Sequence, residues 1–209
     1  LLAQWESNDN NWLASLGYEN PEASFTPYDD PSALISINPG TIKFDRYIFS
    51  LQYFAENWDL TFEHISQDNQ FTGFDVVLPD LPANALQSIQ AQSPQIASSG
   101  LVHTGYYGQW RYILSENLTL LARYGHFHTD DGDKDGNKYE TQTGFPAFSQ
   151  FSDDFTLGIN WRFDNKWQIR LEGHYIEGTA SISPTIKLDH SENFKKYWQL
   201  WSAQFSYSF

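Results

Sequence analysis

The chain has 209 residues, a formal net charge of −14, neither Cys nor Met, and an aromatic content of 17%. The absence of Cys excludes a disulfide framework or a thiolate metal site, and the acidic balance excludes nucleic acid, which demands basic surface. No apolar run approaches the roughly 18 residues that a transmembrane helix needs, and the mean hydropathy is −0.53. Without Met, Leu1 is not a translation start, so the chain is expected to be processed or to begin partway along a longer one, any signal peptide already gone.

In chain order, segment after segment repeats with a period of two, the signature of a strand with one apolar and one polar face. Trp12, Ala14, Leu16 and Tyr18 fall on one face, followed by Tyr47, Phe49, Leu51 and Tyr53, then Trp58, Leu60 and Phe62. Segment 102–114 places Val102, Tyr106, Trp110, Tyr112 and Leu114 together, and Leu118, Leu120, Ala122 and Tyr124 come next. Phe155 to Phe163 and Trp167 to Tyr175 continue the pattern. The terminal stretch alternates Trp201, Ala203, Phe205, Tyr207 and Phe209 with Ser202, Gln204, Ser206 and Ser208. No comparable stretch shows a helical period; only Pro82–Gln90 is compatible with a short helix.

Connection lengths alternate as well. Tight turns fall at Glu56-Asn57, Ser115–Asn117 and Asp164–Lys166, and long polar connections occupy roughly 19–43, 66–100, 129–152 and 178–196. Short turns at one end and long loops at the other are the plan of an outer-membrane barrel, with the turns periplasmic and the loops extracellular. Such a barrel also explains the low hydropathy, because only alternate strand residues meet lipid. A soluble up-and-down barrel shares the parity but buries its aromatic face. The aromatic positions distinguish the two. Trp12, Trp58, Trp161 and Trp167 lie beside the short turns, and Tyr18, Tyr47, Tyr106, Tyr124 and Tyr175 mark the opposite strand ends. Two aromatic belts separated by aliphatic residues match two membrane interfaces.

The fold class expected is therefore all-β: a transmembrane antiparallel up-and-down β-barrel spanning residues 1–209 as one domain. Leu1–Trp5 also alternates, which brings the strands to nine. A barrel with both termini in the periplasm needs an even number, so nine strands imply that upstream strands are missing. If Leu1–Trp5 is only a tail, eight strands close a small barrel alone.

All five Arg residues (Arg46, Arg111, Arg123, Arg162 and Arg170) fall on the polar parity, whereas all seven Lys residues fall in loops, turns or their edges. Asp59, Glu63 and Glu172 share the polar parity. Guanidinium groups along a wall form an electrostatic ladder that weights permeant ions towards anions. In a small plugged barrel the same groups merely pair with the carboxylates. Asp131, Asp133 and Asp135, followed by Gly136, reproduce the first half of a calcium loop, although Gln142 stands where a closing Glu is usual. No cofactor is required by the remaining sequence. His64-Ile-Ser66 resembles the His-x-Ser of outer-membrane lipid A deacylases, but Gln67-Asp68 departs from that pattern and the sequence places no supporting acid. His126 and His128 sit two apart near a loop, a spacing compatible with a metal, although surface histidines are commoner.

Phe44–Tyr53, Asn57–His64, Trp167–Thr179 and Gln204–Phe209 together resemble the proteobacterial outer-membrane porins, in particular the porin-like proteins of gammaproteobacteria. The resemblance covers most of the chain and rests on alternation. It implies a barrel of roughly sixteen strands about twice this length, a homotrimer, and a bacterial outer membrane containing lipopolysaccharide. The expected function is passive diffusion of small hydrophilic solutes with no catalysis. A small structural or adhesion barrel and a lipid hydrolase using His64 and Ser66 are the alternatives.

Overall fold

The computed structural model describes residues 1–25, 36–37, 40–72, 76–77, 101–164, 166–182 and 195–208. Phe209, Asn165, Lys187 and the short helix considered at Pro82–Gln90 lie outside the described residues.

The alternating segments are strands. In chain order they are β1 (Leu2–Glu6), β2 (Trp12–Glu19), β3 (Glu22–Phe25), β4 (Ser36–Ile37), β5 (Gly40–Phe54) and β6 (Trp58–Thr72). They continue as β7 (Val76–Val77), β8 (Leu101–Ser115), β9 (Leu118–His128), β10 (Phe151–Arg162), β11 (Trp167–Gly178) and β12 (Tyr197–Tyr207). The main sheet runs β1-β2-β5-β6-β8-β9-β10-β11-β12, with β3 also pairing β5, and β4 and β7 form a separate pair. Every pairing in the main sheet is antiparallel, so the chain goes up and down through neighbouring strands. β1 and β12 are the two edges, and the described sheet is open rather than closed on itself.

Leu1–Trp5 is thus a strand, in register with β2 from Leu2 opposite Gly17 to Glu6 opposite Leu13. Three strands outrun their alternating segments. β3 continues β2 in the same register against β5, the two being separated only at Asn20-Pro21, where Pro21 has no N–H to give the ladder. Its carbonyl still accepts the Phe44 N–H at 3.0 Å. β5 and β6 run fifteen residues each and stay paired past the aromatic belt, as far as Thr41 opposite Thr72. At about 3.3 Å per residue, fifteen residues exceed the 9–11 needed to cross a membrane.

The connection from β9 to β10 contains a helix that alternation did not reveal, α1 (Asn137–Thr143), followed by a 3-10 turn at Ala147–Ser149. Its N-terminus is held by Asp133, whose carboxylate accepts the N–H groups of Lys138 at 3.1 Å and Tyr139 at 2.8 Å. Gly136 and Gly144 bracket it in the left-handed conformation, at φ 73° and 77°. Seven residues between such caps are too few to show a period. Gly178 ends β11 at φ 87°, and a side chain there would collide with the Phe151 carbonyl.

Packing is inverted relative to a water-soluble domain. Among the described residues the one buried large hydrophobic side chain is Ile176. Leu157 is 55% exposed and Trp201 77%, and most of the other strand aromatics on that face are exposed as well. The buried side chains are polar: Asp59, Asn69, His128, Ser152 and a fully covered Thr156. A soluble sheet burying apolar surface would show the reverse.

Candidate functional site

Cross-strand register settles which side chains share a face. Asp59 lies opposite Arg111, and Arg111 opposite Leu121. Gln109 lies opposite Arg123, and Arg123 opposite Thr156. Asn160 faces Arg170, which faces Gln204. Arg46, Asp59, Glu63, Arg111, Arg123, Arg162, Arg170 and Glu172 therefore occupy one face, the polar one. That face is concave: strands β8 to β12 surround a recess of about 490 Å³ whose lining includes Gln109, Arg111, Asn160, Gln168, Arg170 and Gln204.

The opposite face carries two aromatic bands. At the short-turn end, Trp12 meets Tyr53 at 4.7 Å between centroids and Tyr53 meets Trp58 at 5.1 Å. Trp167 meets Phe205 at 4.8 Å and Tyr207 at 4.4 Å. At the far end, Tyr18 packs on Tyr47 at 5.0 Å and Tyr175 on Tyr197 at 6.2 Å. From Trp167 to Tyr175 along β11 is about 26 Å at 3.3 Å per residue, on the scale of the roughly 25 Å apolar band of a barrel.

The arginines are not the open ladder that their parity alone suggests. Arg111 grips Asp59 in a bidentate pair, Nε at 2.9 and 3.0 Å and Nη2 at 2.8 Å, and Asp59 is buried. Arg46 donates to Gln67 at 2.7 Å and to Glu19 at 3.2 Å. Arg170 donates from Nε to Glu172 at 2.8 Å, and Arg162 caps the Glu116 carbonyl at 2.9 Å. Arg123 makes no hydrogen bond or ion pair among the described residues, and neither does Glu63. A guanidinium beside its own carboxylate presents a dipole to the solvent, so among the described residues Arg123, Glu63 and Arg162, whose partner is a neutral carbonyl, remain as the charges of the set without an opposite charge beside them.

A second network, unseen in the sequence, ties β10 to β11. His174 Nδ1 lies 2.9 Å from Asp154 and 3.1 Å from the buried Thr156 hydroxyl. Its Nε2 is 3.7 Å from Glu172, which links the network to Arg170. The signal was available in principle, because Asp154, Thr156, Glu172 and His174 all have polar parity. Assigning the contact, however, requires the β10–β11 register, in which Thr156 sits opposite His174.

The acidic loop after β9 uses its carboxylates separately. Asp131 pairs with Lys134 at 3.0 Å and with His128 at 3.1 Å, and these contacts, Lys134 first, hold its carboxyl below the ordinary value. Asp133 spends both oxygens on α1, and Asp135 binds the side chain of Asn137. Among the described residues no three His, Asp or Glu side chains converge as metal ligands. His126 and His128 touch each other at 3.2 Å, and His126 bonds Asp153 at 2.8 Å. His64 and Ser66 lie on the apolar face, and neither makes a side-chain hydrogen bond to an acid among the described residues.

No protein-family model matches this chain, and no curated protein matches it in sequence.

Proposed function

We propose that the chain forms the wall of an outer-membrane β-barrel that acts as a passive diffusion channel for small hydrophilic solutes. One observation carries this reading: the aromatic and aliphatic face of the sheet is exposed from β2 to β12, while the polar face is concave and covers Asp59, Asn69, Ser152 and Thr156. In water, exposing that many large apolar side chains on one contiguous face is unfavourable; against lipid it costs nothing. In this reading the aromatic bands sit at the two headgroup levels, the short turns face the periplasm, and the loops meet lipopolysaccharide. β1 and β12 are then seam strands, since a barrel wall in lipid leaves no backbone edge unpaired. Solutes move through water past amides, hydroxyls and charges, and no bond is made or broken.

Planar-bilayer conductance is the test. Discrete conductance steps after reconstitution are expected, and a folded, inserted protein without them would overturn the channel reading. That second outcome would favour a structural barrel, a reading to which the Arg–carboxylate pairs lend some support. Among the arginines, Arg123→Ala should move ion selectivity towards cations more than Arg111→Ala, because Arg111 is already neutralised by Asp59.

A further inference from the structure

We infer that the polar face carries a recess for small organic cations with an apolar body, with Glu63 as the counter-charge. The inference rests on that face being a water-filled lumen. The recess, about 280 Å³, lies further from the short turns than the larger one. Two adjacent rows of the sheet build it. In one, Glu63 stands opposite Tyr107, Tyr107 opposite Gly125, and Gly125 opposite Asp154. In the other, Ile65 stands opposite Gly105, Gly105 opposite Phe127, and Phe127 opposite Ser152.

The glycines matter differently: Gly125 points nothing into the space, whereas Ile65 and Phe127 close over Gly105, where an added Cβ would meet each of them at 3.4 Å. Ile65, Tyr107 and Phe127 wall that space with half-buried apolar surface on an otherwise polar face. A Cβ added to Gly125 would meet the Tyr107 Cβ at 3.7 Å, an ordinary contact, so the backbone there is not forced to be Gly by crowding. The recess is therefore a gap in the side-chain layer beside three apolar residues.

Its charges point to a cation. Asp154 is engaged by His174 and Thr156, whereas Glu63 has no hydrogen bond or ion pair among the described residues. Arg123 is an opposing charge on the same face, two residues along β9 from Gly125. An ammonium group seated at Glu63, with its carbon skeleton against Tyr107 and Phe127, gains ion pairing, a cation–π contact and apolar burial together. An anion of the same shape meets Glu63 and Asp154 instead.

Isothermal titration of the detergent-solubilised protein with phenethylammonium, phenylacetate and 2-phenylethanol tests this, with empty micelles as the blank. Phenethylammonium should bind most tightly and phenylacetate should give no heat above the blank. Glu63→Gln should weaken phenethylammonium roughly tenfold, about 1.4 kcal/mol, with an unchanged strand signal in circular dichroism. Arg123→Gln, which removes the competing cation, should strengthen it. Gly125→Val, which fills the gap, should weaken it. Equal affinity for phenylacetate, or no change in both charge variants, would overturn the inference. Because titration in micelles needs no conductance, a conducting protein that fails to bind sinks this inference alone. A protein that binds but does not conduct sinks only the channel reading.

Discussion

The two faces of one sheet follow opposite rules. On the apolar face, Leu157 and Trp161 are exposed and make few polar contacts; on the polar face, one residue away along the same strand, Thr156 is fully covered and hydrogen-bonded. In a water-soluble sheet the burial would run the other way, since removal of apolar area from water is the main favourable term in folding. On the proposed reading, the inversion arises because the apolar side meets lipid rather than water. The polar face then has the harder task, because buried charges must find partners within it. Asp59 with Arg111 and Glu172 with Arg170, both carboxylates largely covered, are how it does so.

The sharpest way to break that contrast is to place the same charge on each face. Leu157→Lys should cost about 2–4 kcal/mol when unfolding is measured in liposomes, as expected for a cation near the bilayer midplane. Asn160→Lys, on the polar face of the same strand, should cost less than about 1 kcal/mol. If Leu157→Lys is neutral, as for an ordinary exposed surface position, the apolar face is not in lipid. A smaller effect concerns the polar face alone. Asp59→Ala leaves the Arg111 guanidinium without its bidentate partner and should cost about 2 kcal/mol, read from the denaturation midpoint. In the Arg111→Ala background the same change should cost much less, and additivity would show that the pair is not coupled.

The smallest effect lies outside the sheet, in the loop after β9. Lys134, and then His128, hold the Asp131 carboxyl below its ordinary value of 3.8. A depressed folded-state pKa means that the contribution is present above pH 3.8 and is lost as pH falls through the lower folded value. Amide protection in residues 129–136 should therefore decline as the pH drops below that range, and Asp131→Asn should remove the dependence. Asp131 is solvent-exposed, so the effect is confined to this loop.

Much of this architecture was legible in the sequence because polarity maps directly onto the face of a strand. Tyr47-Ile-Phe49-Ser-Leu51 gives the face of β5 without any knowledge of its neighbours, and the tight turns fix which strands pair. What escaped was local or cross-strand. α1 depends on Asp133 reaching two backbone N–H groups and on glycines at two caps, not on periodicity. β3 and the outer part of β5 carry Ala23, Ile42 and Phe44 on the parity of Arg46, opposite to that of Tyr47 and Phe49, and Ser66–Gln70 of β6 is polar on both faces, so the alternation of the inner segments does not run on into them. The pairing of Arg111 with Asp59 needs the register between β6 and β8, which are joined by a long connection of unmarked length. Without it, parity leaves Arg111 equally compatible with an open lumen charge and with a carboxylate pair. The Glu63 recess had one faint sign, two glycines on the polar parity at positions 105 and 125 beside Tyr107 and Phe127.

The central claim, that the two faces meet different solvents, has a direct measurement because the chain has no native Cys. Single cysteines at Gln168, Ile169, Glu172, Leu171, Ala203 and Gln204 would each be the only thiol, and their reaction with a hydrophilic maleimide can be followed after reconstitution in lipid. The positions at Gln168, Glu172 and Gln204 should label, while those at Ile169, Leu171 and Ala203 should be protected until detergent is added. Equal labelling of both sets, or protection of the polar set instead, would contradict the assignment of lipid to the apolar face.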